Sequence, residues 1–139
     1  MNILTDYLEL STKGGCDVID ITKKIGDRLK SSKIKTGIMT LSVIGSTAAL
    51  TTCEYEPGLI KDLKEIFEKL IPEGKEYRHD QAWGDGNGHA HLRSSLVGPS
   101  LTLPFGEGKL ILGTWQQVIF IDFDNRPRQR KIVLQILGE

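Results

Sequence analysis

The sequence has no apolar run approaching the roughly 18 residues that a membrane-spanning helix requires. Its first residues, MNILTDYLELST, lack a basic segment followed by an apolar one. A cytoplasmic protein without a membrane partner is the expectation. Cysteine is scarce, with Cys16 and Cys53 standing 37 positions apart in no CxxC-like pattern, which speaks against a disulfide framework and for free thiols in a reducing compartment. Net charge is missing as well. The 18 basic and 18 acidic residues cancel, so the balance gives no reason to expect nucleic acid or an anionic membrane surface. No GxxxxGKS/T segment exists, which excludes a P-loop NTPase, and no serine stands in a GxSxG elbow, which disfavours Ser-His-Asp chemistry. No repeat, linker or low-complexity tract divides the 139 residues, so residues 1–139 read as one domain with one core.

What is present reads as an α+β chain, largely antiparallel sheet with two or three helices. NILTDYLEL, residues 2–10, predicts a first strand closed by Gly14 and Gly15. Ile21, Ile25 and Leu29 recur at helical spacing behind Asp20, a candidate N-cap. The β-branched stretch 37–53 predicts two strands joined through IGST as a hairpin. PGLIKDLKEIFEKLIP predicts a helix bounded by Pro57 and Pro72, with Leu59, Ile60, Leu63, Ile66, Phe67, Leu70 and Ile71 on one face. SLTLPF, KLILGTWQQVIFIDF and RQRKIVLQIL then predict strands, the last two paired across Asp124, Asn125 and Pro127. Trp115, inside an apolar run, is expected in the core or an interface.

All three histidines, His79, His89 and His91, fall within RHDQAWGDGNGHAHLRSS, beside Asp80, Asp85 and Asn87. Seven of the fifteen glycines lie between Gly84 and Gly113, as site-forming loops often require. A helix from about Asn87 puts Asn87 and His91 on one face and turns His89 away, with Ala90, Leu92 and Leu96 as packing surface. An extended chain instead puts 87, 89 and 91 on one side. Three imidazoles near carboxylates suit a divalent metal, zinc first, with His79, His91 and His89 as candidate ligands. The bland alternative keeps His79 and His91 as hydrogen-bonded core or interface residues and leaves His89 solvated. Glu54, at a strand end, is a candidate general base or partner of a histidine. The basic run RPRQRK suits a phosphate, although Arg128 and Arg130 share a strand face and could equally pair with Asp122 and Asp124.

The segments DVIDIT, GSTAALTTCEYEPGLIKDL, YRHD, GNGHAHL and GPSLTLPFGEGKLILGTWQQVIFIDFDNRPRQRK together resemble the YjbQ family, also called UPF0047, from about residue 17 to the C-terminus. The resemblance implies a compact α+β fold assembled as a homotrimer, with a polar pocket near subunit contacts. It also implies secondary thiamine-phosphate synthase activity, which joins a pyrimidine pyrophosphate to a thiazole phosphate. The pattern carries over at Thr47 and Glu54, His79, Asn87 with His91, and Arg128. Thr47, Asn87 and Arg128 are then expected to bind a small phosphorylated substrate, while His79, His91 and Glu54 act in catalysis. One departure stands out. The family commonly has a histidine before its two hydroxyl residues, and this chain has Gly45. Metal-assisted hydrolysis and non-catalytic ligand binding, with the histidines at a subunit interface, are the rival expectations.

Overall fold

Alternation governs the longest strands of the computed structural model, which describes residues 1–139. In β8 (Arg128–Gly138) the inward row is Arg130, Ile132, Leu134 and Ile136. It pairs antiparallel along its whole length with β1 (Asn2–Thr12), whose inward row is Leu8, Leu10 and Thr12. The other edge of β8 takes β3 (Gly37–Val43), which in turn pairs with β5 (Ser100–Gly106) and, through it, the short β6 (Lys109–Leu110). A second, three-stranded sheet sets β7 (Gln117–Asp122) between β2 (Asp17–Asp20) and β4 (Ala48–Cys53).

The four helices are α1 (Thr22–Ser32), α2 (Pro57–Leu70), α3 (Arg78–Trp83) and α4 (Gly88–Val97). The predicted stripe Ile21, Ile25 and Leu29 is fully buried at α1, in one cluster with Met39, Leu41, Phe120 and Leu134. Asp20 sits one residue before the helix cap, and its Oδ1 accepts from the Thr22 amide at 3.0 Å and the Thr22 hydroxyl at 2.7 Å. The other face of β7 packs Ile119 and Ile121 against Phe67 of α2 and Ala90 of α4. Burial on both faces explains why this strand reads as a continuous apolar run rather than an alternating one.

Several expectations are corrected. β3 and β4 are not a hairpin, and β7 and β8 do not pair: in each case the turn carries the chain from one sheet to the other. The reason is occupancy, since β3 is flanked by β8 and β5 while β7 is flanked by β2 and β4. The two crossing turns lie side by side, joined by Phe123 N–H to Thr47 O at 3.0 Å and Ile44 N–H to Lys131 O at 3.0 Å. The strand expected from Lys109 onward breaks after Leu110, and Trp115 sits in the intervening loop, 71% exposed rather than in the core. The predicted α2 holds to its N-terminus, where Glu56 accepts from the Gly58 and Leu59 amides at 2.8 Å. Only Phe67 of its apolar face is fully buried, whereas Ile66 and Leu70 are exposed. β2 and α3 are additional elements that their short sequences did not signal.

Candidate functional site

The inward rows of the strands end on polar residues at the crossing turns: Thr12 on β1, Asp122 on β7 and Arg130 on β8. They meet in one hydrogen-bonded network. Asp122 accepts from Arg130 Nε at 2.7 Å and Nη2 at 2.9 Å, from the Thr12 hydroxyl at 2.6 Å, and from the Asp124 amide at 3.0 Å. Thr47, in the other turn, accepts from Arg130 Nη2 at 2.6 Å and donates to Asp124 Oδ2 at 3.0 Å.

Asp124 is fully buried and links this network to the surface. Arg128 Nε lies 3.0 Å from its Oδ2, and the Asn87 amide donates to its Oδ1 at 3.4 Å. Burial pushes its pKa up, but hydrogen bonds from the Asn125 amide, Thr47 and Asn87, with the charge of Arg128, outweigh burial and hold it below the usual carboxylate range. The carboxylate also fixes Asn87 with its nitrogen inward. The Asn87 side-chain oxygen Oδ1, though buried, therefore has no partner in the protein. Asp85, Asn87, Asn125, Arg126 and Arg128 line a polar cleft of about 240 Å³ above this point.

The histidines are set by α3 and α4. Asp80 accepts from the Tyr77 amide at 3.1 Å and the Gly88 amide at 2.8 Å, clamping the start of α4 to α3. This clamp brings His79 and His91 together, with ring centroids 4.2 Å apart and planes tilted by 41°. Both line a second cleft of about 570 Å³, shared with Lys75, Tyr77, Arg78 and Leu92. Burial lowers the His91 pKa and the neighbouring His79 adds to the effect, against the upward pull of Asp124 and Asp85. His91 is thus a neutral imidazole at pH 7. Asn87 caps α4 and its carbonyl accepts from the His91 amide at 3.3 Å, so the two clefts adjoin at this residue.

The structure brings together Thr47, Asn87, His79, His91 and Arg128, but not all of the expected set. His89 is 1% exposed rather than solvated and lies on the opposite side of α4, its Nε2 3.9 Å from Glu73 Oε1 and its Nδ1 unpartnered. Burial depresses its pKa. It cannot join His79 and His91 around one ion, and no group of three or more His, Cys, Asp or Glu side chains is placed to hold a metal. Two imidazoles fall one donor short of a catalytic zinc set. Glu54 is exposed at the far end of β4 from Thr47, roughly 20 Å away at strand rise, so within one chain it does not touch the histidines. Leu92 and Leu96 face outward instead of packing. Arg126, Asp122 and Asp124 emerge as site residues. For the two acids the signal was their position at the end of an apolar strand, where a charge has to be paired.

The chain matches the family model described as UPF0047 protein YjbQ-like over residues 6–139. A UPF0047 protein of Archaeoglobus fulgidus is 39% identical over 130 residues, covering 94% of this chain and 98% of that one. Among solved structures, a YbjQ-like protein of unknown function from Sulfolobus solfataricus superposes with a TM-score of 0.92 at 31% identity over 99% of both chains. A hypothetical protein from Aeropyrum pernix gives 0.91 at 33% identity, over 98% of this chain and 99% of the other.

Proposed function

Because the chain belongs to the YjbQ-like UPF0047 family, whose function is not established, we propose that it is an enzyme acting on a small phosphorylated metabolite. Thiamine-phosphate synthesis is the reaction that the sequence resemblance implies. The observation that carries this reading is the His79–His91 pair beside an arginine-lined cleft. Joining a pyrimidine pyrophosphate to a thiazole phosphate breaks a carbon–oxygen bond and forms a carbon–nitrogen bond, and pyrophosphate departs with the electron pair. The site then has to bind the departing anion and keep water from the same carbon. Arg128 and Arg126 supply cationic donors, with Arg128 oriented by buried Asp124. The thiazole nitrogen attacks with its lone pair and releases no proton, so neutral His91 serves by donating its ring N–H to the departing pyrophosphate, and His79 packs against it. The chain works in the cytosol as a homotrimer in this reading, in keeping with two free cysteines and with no helix long and apolar enough to cross a membrane.

The test is product formation from the two phosphorylated precursors. Wild-type protein is expected to form thiamine phosphate, and His91→Ala to lose about 100-fold in rate, a typical worth of one hydrogen-bond donor to developing negative charge, with an unchanged circular dichroism spectrum. Product at the level of a protein-free control overturns the synthase reading.

A second reading keeps a divalent cation, zinc first, at His79 and His91. The buried, unpartnered Nδ1 of His79 favours it, and a further donor would have to come from outside this chain's own cluster. Elemental analysis of untagged protein tests it: about one ion per chain, lost in a His79→Ala, His91→Ala double variant, supports metal-assisted hydrolysis.

A further inference from the structure

The turn Ile44–Thr47, which carries the chain between the two sheets, has backbone donors that nothing in the protein uses. The amides of Gly45, Ser46 and Thr47 donate to no oxygen of the chain, although the preceding Ile44 amide bonds Lys131 O at 3.0 Å. Beneath the turn lies Arg130, whose side chain is 9% exposed. Its Nε and Nη2 are consumed by Asp122 and Thr47 at 2.6–2.9 Å. Nη1 has no acceptor. Gly45 opens the way to it: with φ at +155°, a Cβ there would sit 3.1 Å from Arg130 Nη1, and only Val43 Cγ1 at 3.9 Å otherwise comes within 4 Å. Any side chain at position 45 would cover the one free nitrogen of the guanidinium.

We propose that this turn is an oxyanion subsite, in which a phosphate or pyrophosphate group accepts from the Gly45, Ser46 and Thr47 amides and from Arg130 Nη1. Successive free amides beside a buried guanidinium concentrate N–H donors of the kind that bind anions. Asp122 and Asp124 already balance the charges of Arg130 and Arg128, so the attraction comes from directed N–H donors rather than from net charge. Such a cluster favours an anion with several acceptor oxygens over chloride. The subsite rests on the reading of a phosphorylated substrate and deepens it. The proposed reaction has two phosphorylated partners, and one cleft lined by Arg126 and Arg128 serves one of them. The turn supplies the second position next to the first, since Thr47 Oγ1 and Arg128 Nε both bond the same Asp124 Oδ2 at 3.0 Å.

The experiment is a titration of the full-length, ¹⁵N-labelled protein with inorganic pyrophosphate, followed by amide resonances. Those of Gly45, Ser46 and Thr47 are expected to shift together and to saturate, while equal ionic strength of chloride leaves them in place. Ser46→Pro, which deletes one donor, is expected to weaken Kd about tenfold or more, the worth of a hydrogen bond to a charged acceptor. Circular dichroism and thermal unfolding check its fold, and the wild-type titration stands whether or not the variant folds. Shifts confined to Asn125–Arg128, no saturable shift, or wild-type affinity in a folded Ser46→Pro protein overturn the subsite. Loop shifts without thiamine-phosphate formation leave the subsite standing and remove the synthase reading. Product formation without loop shifts does the reverse.

Discussion

At the scale of single residues, Asp124 has the widest consequences. Its carboxylate holds Thr47, Asn87 and Arg128 at once. Removing one partner of a buried ion pair leaves the other uncompensated, so Asp124→Asn is expected to cost about 3 kcal/mol at pH 7. The pH dependence has a definite sign. The folded-state pKa lies below the unfolded value of about 3.9, so the carboxylate's contribution is complete above that pH and is lost as pH falls through the folded-state value. Urea unfolding at pH 7 and pH 3 should therefore show wild type and variant converging in acid. An equal gap at both would place the lost stability elsewhere. His91 carries a separate prediction. Its depressed pKa means that it stabilises the fold fully above about pH 6.5, with that contribution lost as pH falls through the lower folded-state value. Its imidazole resonances should titrate below 6.5, and a midpoint at or above it would remove His91 as a neutral hydrogen-bond donor.

At the scale of elements, the site depends on how closely α3 meets α4. A Cβ on Gly88 would lie 2.7 Å from Tyr77 Cβ and 3.1 Å from Asp80 Oδ1, and the Tyr77 backbone cannot yield without moving α3. Gly88→Ala is accordingly expected to cost about 2 kcal/mol, as overpacking does, and to separate His79 from His91. Lower thermal stability together with a loss of activity larger than that of a surface control would show it, whereas wild-type values for both would contradict the clamp. α4 was one of two conformations its segment allowed, and the structure takes the helical one, which separates His91 from His89. Its partner α3 was not legible, because six residues, Arg78–Trp83, are too few to display a helical period. Periodicity also gave β3, β4, β7 and β8 but could not pair them. Alternation tells which face of a strand is buried, and both a hairpin and a crossing between sheets satisfy the same pattern. That ambiguity hid the main structural feature of the site, the meeting of Thr47 and Arg130 across two adjacent crossings. Asp122 and Asp124 were visible as partners of the two arginines, but their burial was not, because it follows from the end of β7 lying beneath both turns.

At the scale of the whole molecule, the chain carries more surface than it should alone. Its accessible area is 8075 Å², against about 7,200 Å² for a typical monomer of 15.5 kDa. Part of the excess is apolar. α2 and α4 pack on the same face of the three-stranded sheet, and each leaves apolar side chains exposed, Ile66 and Leu70 at 44% and 60% on α2 and Leu92 and Leu96 at 47% and 62% on α4. Large apolar side chains left exposed on neighbouring helices are usual for a surface that another subunit covers. The proposed trimer gives them a second copy of the chain to pack on, and it also gives distant Glu54 a route to a histidine pair it does not reach in its own chain. Sedimentation equilibrium is expected to return about three times the 15.5 kDa chain mass, and Leu96→Asp to return a smaller mass with its helical signal retained. The mass of one chain for the wild type would overturn the trimer. A trimeric Leu96→Asp protein would instead move the contact to the most exposed aromatic residues, Trp83 and Trp115, at 73% and 71%. Trp115 follows the short β6, and Trp83 ends α3 only four residues beyond His79. Contact there would make assembly and the histidine cleft parts of one structure, and dissociation would then remove activity along with mass.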